Sequence, residues 1–131
     1  MILIDSNIPM YLIGPTHPHK TDSQRIVERL ISQRQRLVTD AESFQEILHR
    51  YSSIRRHHDI QRAFDALSNI VDDVLPVDRE SIERAKQIVL SYRGLSARAA
   101  IHLAVMVQHG ITQILSFDSG FDAFPGITRL S

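Results

Sequence analysis

MILID, residues 1–5, is an unbroken apolar run that ends in an aspartate. Such a run predicts a short strand that is buried on both faces of a parallel sheet. A second, mainly apolar run, ITQILSFD at residues 111–118, ends in Asp118. In parallel sheets, functional sites form beyond the carboxyl ends of the strands. Asp5 and Asp118 are therefore both candidates for a site at one edge of the sheet.

The residues between these two runs predict helices that alternate with short strands. Leu37 and Val38 predict a strand, after which Thr39 and Glu42 form the pattern of a capping box at the start of a helix. The other predicted elements are helices over 8–13, 21–33, 55–70 and 78–92, a helix from the cap Ser96 to Gly110, an extended segment over 73–77 and a final edge strand over 127–130. This alternation predicts an α/β fold with a mainly parallel sheet, in one domain over residues 1–131.

Composition excludes several classes of protein. The chain has no cysteine, which rules out a disulfide scaffold and thiolate zinc sites and fits a reducing, cytoplasmic location. The start of the chain lacks the features of a signal peptide, and no apolar run approaches the roughly 18 residues of a membrane span. The formal net charge is zero, which argues against a polyanion binder held by bulk charge. We therefore expect a soluble protein with no membrane partner.

A third acid is expected to join Asp5 and Asp118 from the helix that follows Val38. Glu42 and Glu46 are the two candidates, and Glu42 is already explained as the capping-box partner of Thr39. The alternative role for Glu46 is an ion pair with Arg50 one turn later, which would contribute only about 0.3–0.5 kcal/mol. Clustered carboxylates repel one another unless a cation compensates them. The pattern therefore favours a divalent cation held by Asp5, Glu46 and Asp118.

Four segments of the chain resemble PIN-domain ribonucleases, and more narrowly the VapC toxins of toxin–antitoxin pairs. They are ILIDSNIPMYLIG, LVTDAESFQEILHRY, LSARAAIHLAVMVQHGITQILSFDSGFD and PGITRL, which together cover much of the chain. The resemblance implies a three-layer α/β/α PIN fold and a Mg²⁺- or Mn²⁺-dependent endoribonuclease that arrests translation. It also implies that Asp5, Glu46 and Asp118 are catalytic metal ligands.

The chain departs from this family pattern at residue 99. The family has an aspartate within a segment that resembles LSARDAIHLAV, and this chain has Ala99 there, with the surrounding residues otherwise unchanged. A decaying site usually loses its neighbouring pattern as well. We therefore hypothesise that Ala99 is an engineered Asp→Ala change in a toxic nuclease, with a natural pseudoenzyme as the alternative. In either case we expect the chain to fold and to cleave RNA poorly or not at all.

Several further residues are candidates for supporting roles. The hydroxyl of Ser6 could orient a ligand or cap the first helix, Asp122 could assist the acids or face solvent, and Arg98 could bind a phosphate. Arg50, Arg55 and Arg56 form a basic segment that could contact RNA. His102 lies three residues after Ala99 and so shares its helical face, but its pattern favours a half-buried structural histidine.

The resemblance also implies partners. PIN-domain toxins of this type are generally homodimers that accept a VapB-like antitoxin segment near the acids, and their substrate is RNA. The principal alternative function is a noncatalytic PIN-fold module that binds RNA or an antitoxin. A receiver domain also gathers acids at strand ends, but it needs an acid pair after the first strand and a lysine after the last core strand. Asp5-Ser6 and Asp118-Ser119 supply neither feature.

Overall fold

The computed structural model describes all residues from 1 to 131 as five strands and six α-helices. The strands are β1 (Ile2–Ile4), β2 (Leu37–Asp40), β3 (Asp73–Leu75), β4 (Gln113–Leu115) and β5 (Thr128–Leu130). The helices are α1 (Asn7–Ile13), α2 (Pro18–Ser32), α3 (Ala41–Ser53), α4 (Ile60–Ile70), α5 (Arg79–Ser91) and α6 (Ala97–Gln108). Two short 3₁₀ turns, His57–Asp59 and Ser119–Ala123, complete the chain.

The five strands form one sheet in the order β3-β2-β1-β4-β5, and every neighbouring pair is parallel. The predicted α/β fold with a mainly parallel sheet is therefore confirmed, as is the edge position of the last strand. β1 lies at the centre, between β2 and β4, because the chain first builds the sheet on one side of β1 and then on the other. The carboxyl ends of β1 and β4 thus meet where the strand order reverses, which is the usual position of a site in such sheets.

Alternate residues of β1 face opposite layers of helices. Ile2 and Ile4 belong to an apolar core that includes residues of α1, α2, α3 and α4. Leu3 faces the other side and packs in a second core with Leu103 and Met106 of α6. The helices therefore cover both faces of the sheet, as the expected three-layer α/β/α arrangement requires. None of them combines the length and apolar composition needed to cross a membrane.

The start of α3 differs from the prediction. β2 continues two residues beyond Val38, because Thr39 and Asp40 pair in register with residues of β3. The Thr39 hydroxyl therefore donates to the carbonyl of Ile4, at 2.7 Å, and does not cap the helix. Asp40 is the N-cap, and its carboxylate accepts a hydrogen bond from the backbone N–H of Ser43 at 3.1 Å. The predicted capping box of Thr39 and Glu42 is thus wrong.

The helix predicted over 55–70 also begins later than expected. Residues 57–59 form a 3₁₀ turn, and α4 starts at Ile60. Arg55 adopts a positive φ of 57°, which interrupts any helix that would run through it.

Candidate active site

Three neighbouring strands deliver polar side chains to the same edge of the sheet. Asp5 directly follows β1, Asp40 is the last residue of β2, and Ser116 directly follows β4. All three are buried, with 4%, 0% and 0% of their surface exposed. Burying carboxylates this deeply is costly unless hydrogen bonds or opposite charges compensate them. The partners of these side chains therefore define what the site can do.

Hydrogen bonds from its neighbours fix the position of the Asp5 carboxylate. The backbone N–H of Ser6 donates to Oδ1 at 2.7 Å, and the hydroxyl of Ser116 donates to Oδ2 at 2.5 Å. The Asn7 amide lies 3.4 Å from the same Oδ2. Asp5 is thus held rigidly at the centre of the sheet edge.

Glu46 reaches this edge from the second turn of α3, where it is 5% exposed. The hydroxyl of Ser6 donates a short hydrogen bond to its Oε2. Ser6 occupies the N-cap position of α1, but its side chain makes no capping hydrogen bond to the helix and donates to Glu46 instead. Glu46 forms no ion pair with Arg50, so the alternative role considered for it is absent.

His102 of α6 lies among three carboxylates. Its Nδ1 is 2.7 Å from Oδ2 of Asp40, and its Nε2 is 2.9 Å from Oε1 of Glu46 and 3.4 Å from Oδ1 of Asp5. The ring is 1% exposed, so the expectation of a half-buried histidine outside the site is wrong. Sequence reasoning noted its position on the face of residue 99 but did not identify Asp40, with which it pairs.

The charges of this cluster shift one another's pKa values in different directions. Burial alone would lower the pKa of His102, but the carboxylates of Asp40, Glu46 and Asp5 outweigh it and hold that pKa well above its usual range. Burial raises the pKa of Asp5, with a further contribution from the neighbouring Glu46 carboxylate. Burial also opposes ionisation of Glu46, but hydrogen bonds from His102 and Ser6 prevail and lower its pKa. The histidine therefore acts as the positive centre of the cluster.

The cluster opens into a cleft of about 760 Å³ that other predicted residues also line, among them Ala99, Arg98 and Asp118. Ala99, 4% exposed, lines the cleft and donates its backbone N–H to Oγ of Ser96 at 3.1 Å. Arg98 is exposed at the rim, and Asp118 is half-buried there. The Asp118 carboxylate accepts a hydrogen bond from the N–H of Gly120 at 2.9 Å. Asp5, Glu46, Ala99 and Asp118 are thus brought together around one cleft.

Of the remaining predicted residues, some line the cleft and others lie outside it. Asp122 lies outside the cleft, where both its carboxylate oxygens accept hydrogen bonds from Arg129 at 2.9 and 3.0 Å. Arg55 is exposed and does not line the cleft. Arg50 and Arg56 do line it, but Arg56 is already paired with the buried Asp59 at 2.7 Å. Arg50 and Arg98 are therefore the two cleft arginines that form no ion pair within the protein.

The donor atoms of the cluster suit a divalent cation. Asp5, Glu46 and His102 each offer one ligand atom, and the three atoms all lie within 4.8 Å of one another. Two of the three are carboxylate oxygens, which are the ligands that hard divalent cations prefer. The residues present therefore fit a resident metal ion.

The raised pKa of His102 predicts that stability falls as the pH rises. A histidine whose pKa is higher in the folded state binds more protons than it does in the unfolded chain. Its stabilising contribution is complete below the unfolded value of 6.5 and is lost as the pH rises toward the folded pKa. We expect the free energy of unfolding to fall by about 1.4 kcal/mol per pH unit above that value.

Urea denaturation in the presence of chelator, at several pH values from 6.5 upward, measures this slope. The double variant Asp40→Asn with His102→Gln serves as control, because it removes both the titrating histidine and the buried acid that would otherwise take up a proton. It should show a flatter dependence over the same range. A denaturation midpoint that does not move with pH in the unaltered protein would contradict the assignment of His102 as a buried cation.

Comparison with known proteins gives a consistent set of matches. The family model described as "PIN domain" matches residues 2–127. Ribonuclease VapC13 of Mycobacterium tuberculosis is 57% identical over 131 residues, which cover all of both chains. Among solved structures, VapC20 of Mycobacterium tuberculosis, described as a sarcin-ricin loop cleaving toxin, has a TM-score of 0.72 at 22% identity, covering 94% of each chain. A toxin–antitoxin complex from Klebsiella pneumoniae has a TM-score of 0.70 at 19% identity, covering 98% of this chain and 96% of that one.

Proposed function

Because the chain belongs to the PIN-domain family, and within it to the VapC ribonucleases, we propose that it is a metal-dependent endoribonuclease toxin whose activity is impaired at Ala99. The substrate class is RNA, and the bond that breaks is a phosphodiester. The physiological effect would be the arrest of translation. The 57% identity to a protein named as a ribonuclease, over the full length of both chains, supports the reaction type.

The observation that carries this proposal is the convergence of acids and arginines on one cleft. Asp5 and Glu46 lie at its floor, and Asp118 lies at its rim. Arg50 and Arg98 line the same cleft without partners in the protein. A cation site beside unpaired arginines suits metal-assisted cleavage of a phosphodiester, because the arginines can bind phosphates while the acids hold the metal.

Different residues of the cleft would take different roles in such a reaction. A Mg²⁺ or Mn²⁺ ion bound at the cluster would neutralise phosphate charge and lower the pKa of a water molecule. Asp5 and Glu46 would hold the ion, and the hydroxyls of Ser6 and Ser116 keep these two carboxylates in place. Arg98 would bind a phosphate at the rim, where its charge also favours the ionised form of Glu46.

Ala99 weakens this machinery because its methyl group can neither bind a cation nor accept a proton. The residue occupies the wall of the cleft on the same face of α6 as His102. An aspartate there would be a further oxygen ligand, as the family pattern implies. The engineering hypothesis predicts that the native gene encodes aspartate at residue 99, and sequencing that gene tests it.

The proposed partners are a VapB-like antitoxin, the RNA substrate and a second copy of the chain. The likeness to the Klebsiella pneumoniae toxin–antitoxin complex supports an antitoxin as partner. The sarcin-ricin loop is the RNA named for VapC20, and for this chain the proposed substrate class is RNA.

Cleavage of total RNA by this chain and by an Ala99→Asp variant tests the proposed function. Each protein is incubated with Mg²⁺ or Mn²⁺, and in parallel with chelator. The nuclease is supported if the aspartate variant cuts and chelator stops it. If neither protein cuts with any metal while RNA binding survives chelation, the noncatalytic binding module replaces the nuclease.

A further inference from the structure

The two nitrogens of the His102 ring face different surroundings. Nδ1 points to Asp40, which is fully buried and is itself held by the backbone N–H of Ser43. Nε2 points to Glu46 and Asp5, which both line the cleft. One nitrogen is therefore closed off inside the protein, and the other lies at the floor of the site.

Asp40, His102 and the cleft acids thus form an arrangement typical of metal-binding histidines. Such a histidine usually donates its second ring N–H to a carboxylate, which fixes the tautomer and makes the other nitrogen a better ligand. The contact of 2.7 Å between Nδ1 and Asp40 supplies this carboxylate. A histidine that served only to fill the core would not need a buried acid on one side and two cleft acids on the other.

We propose that Nε2 of His102 is itself a ligand of the cation that Asp5 and Glu46 hold, so that the site prefers transition-metal ions such as Mn²⁺, Co²⁺ and Zn²⁺ over Mg²⁺. This inference rests on the proposed function only in taking Asp5 and Glu46 as metal ligands. Both ring nitrogens face carboxylate oxygens, Nδ1 that of Asp40 and Nε2 that of Glu46. A cation bound at Nε2 would replace any proton there, which would leave to solvent, while Nδ1–H would donate to Asp40.

The distances between donor atoms agree with shared coordination. For metal–ligand bonds of about 2.1 Å, neighbouring ligand atoms lie roughly 3.0 Å apart at right angles and roughly 3.4 Å apart at tetrahedral angles. Nε2 of His102 is 2.9 Å from Oε1 of Glu46 and 3.4 Å from Oδ1 of Asp5. Both distances from Nε2 are therefore close to these values, and the ligand atoms of the three groups all lie within 4.8 Å of one another.

Because residue 99 is alanine, the imidazole nitrogen supplies a larger share of the metal ligands in this chain. Mg²⁺ binds through oxygen atoms, whereas imidazole suits the later first-row ions, whose affinities rise from Mn²⁺ toward Cu²⁺. With no acid at residue 99, one oxygen ligand fewer is available and the imidazole becomes a larger share of the donor set. We therefore expect the chain to bind Co²⁺ at least about 10-fold more tightly than Mg²⁺.

Metal binding to the metal-free, full-length protein tests this inference without any RNA. Calorimetry gives the Kd for Mg²⁺, Mn²⁺ and Co²⁺, and pulsed EPR of the Mn²⁺-loaded protein detects coupling to an imidazole ¹⁴N. We expect the ¹⁴N coupling in the unaltered chain and its loss in His102→Gln. His17→Gln is the matched control, because His17 lines the same cleft but is exposed, and the coupling should survive there.

Two results would overturn the inference: Mn²⁺ bound without ¹⁴N coupling, or no binding of any of the three ions. If His102→Gln does not fold, ¹⁵N-histidine NMR of the unaltered protein with Zn²⁺ replaces it. The His102 Nε2 resonance must then lose its proton and shift, and an unchanged resonance contradicts metal ligation. These measurements do not depend on nuclease activity. If ¹⁴N coupling is seen but Ala99→Asp does not cleave RNA, only the proposed function is contradicted. If Ala99→Asp cleaves RNA but no coupling is seen, only this inference is contradicted.

Discussion

Replacing Ala99 with aspartate is expected to raise the rate of RNA cleavage with saturating Mn²⁺ by at least about 100-fold, the lower end of the effect of one positioned catalytic group. Residue 99 is the third residue of α6, and it lines the cleft that contains Asp5 and Glu46. A carboxylate there would add an oxygen ligand to the cation and an acceptor near the reacting phosphate. Initial rates on a defined single-stranded RNA, with and without chelator, measure the effect.

The matched control for this prediction is Ala97→Asp. Residue 97 is the first residue of α6 and is exposed, so an acid there gains the same favourable interaction with the helix N-terminus but stays out of the cleft. We expect its cleavage rate to equal that of the unaltered chain. Equal rates for all three proteins would show that residue 99 takes no part in the reaction, and equal increases for both variants would point to helix stabilisation as the cause.

The sheet and the acids at its centre were predictable from local pattern. The run that ends in Asp5 is apolar throughout, and the run that ends in Asp118 is apolar at Ile111, Ile114, Leu115 and Phe117, which favours buried parallel strands. Once both runs are parallel strands of one sheet, their carboxyl ends must lie at the same edge. The strand that ends at Leu115 does place Asp118 at the cleft that Asp5 lines.

The histidine at the centre of the site was harder to predict, and one boundary error explains why. The sequence pattern ended the second strand at Val38, which left Asp40 as an ordinary residue at the start of a helix. In the structure β2 runs to Asp40, because β3 pairs with its last residues. This pairing places Asp40 at the same edge as Asp5, where His102 reaches it from 62 residues further along the chain.

The preference for Glu46 over Glu42 depends on a capping box that the structure does not contain. The pattern predicts Glu42 as the capping-box partner of Thr39, but Asp40 is the cap. Glu42 lies in the first turn of α3 and is only partly buried, and burial together with the neighbouring Glu46 charge raises its pKa. Glu46 lies one turn further along the helix, and it is the residue that contacts Ser6 and His102.

Replacing His102 with glutamine is expected to lower the free energy of unfolding by about 3–5 kcal/mol, as removal of one partner from a buried ion pair usually does. Asp40 has no exposed surface, and His102 is its only charged partner. Without the imidazolium, Asp40 must remain as an uncompensated buried carboxylate or take up a proton, and both are costly near neutral pH. Urea denaturation at pH 6.5 in the presence of chelator measures the loss.

A double variant separates the lost ion pair from the lost packing. Asn at residue 40 and Gln at residue 102 are both neutral and can share a hydrogen bond, so Asp40→Asn combined with His102→Gln should cost about 1–3 kcal/mol less than the sum of the two single changes. His109→Gln is the control, because His109 follows the same helix and is exposed, and it should change stability by less than about 0.5 kcal/mol. Additive losses would mean that Asp40 and His102 do not compensate each other's charge. His102 would then not be the positive charge that stabilises the acid cluster.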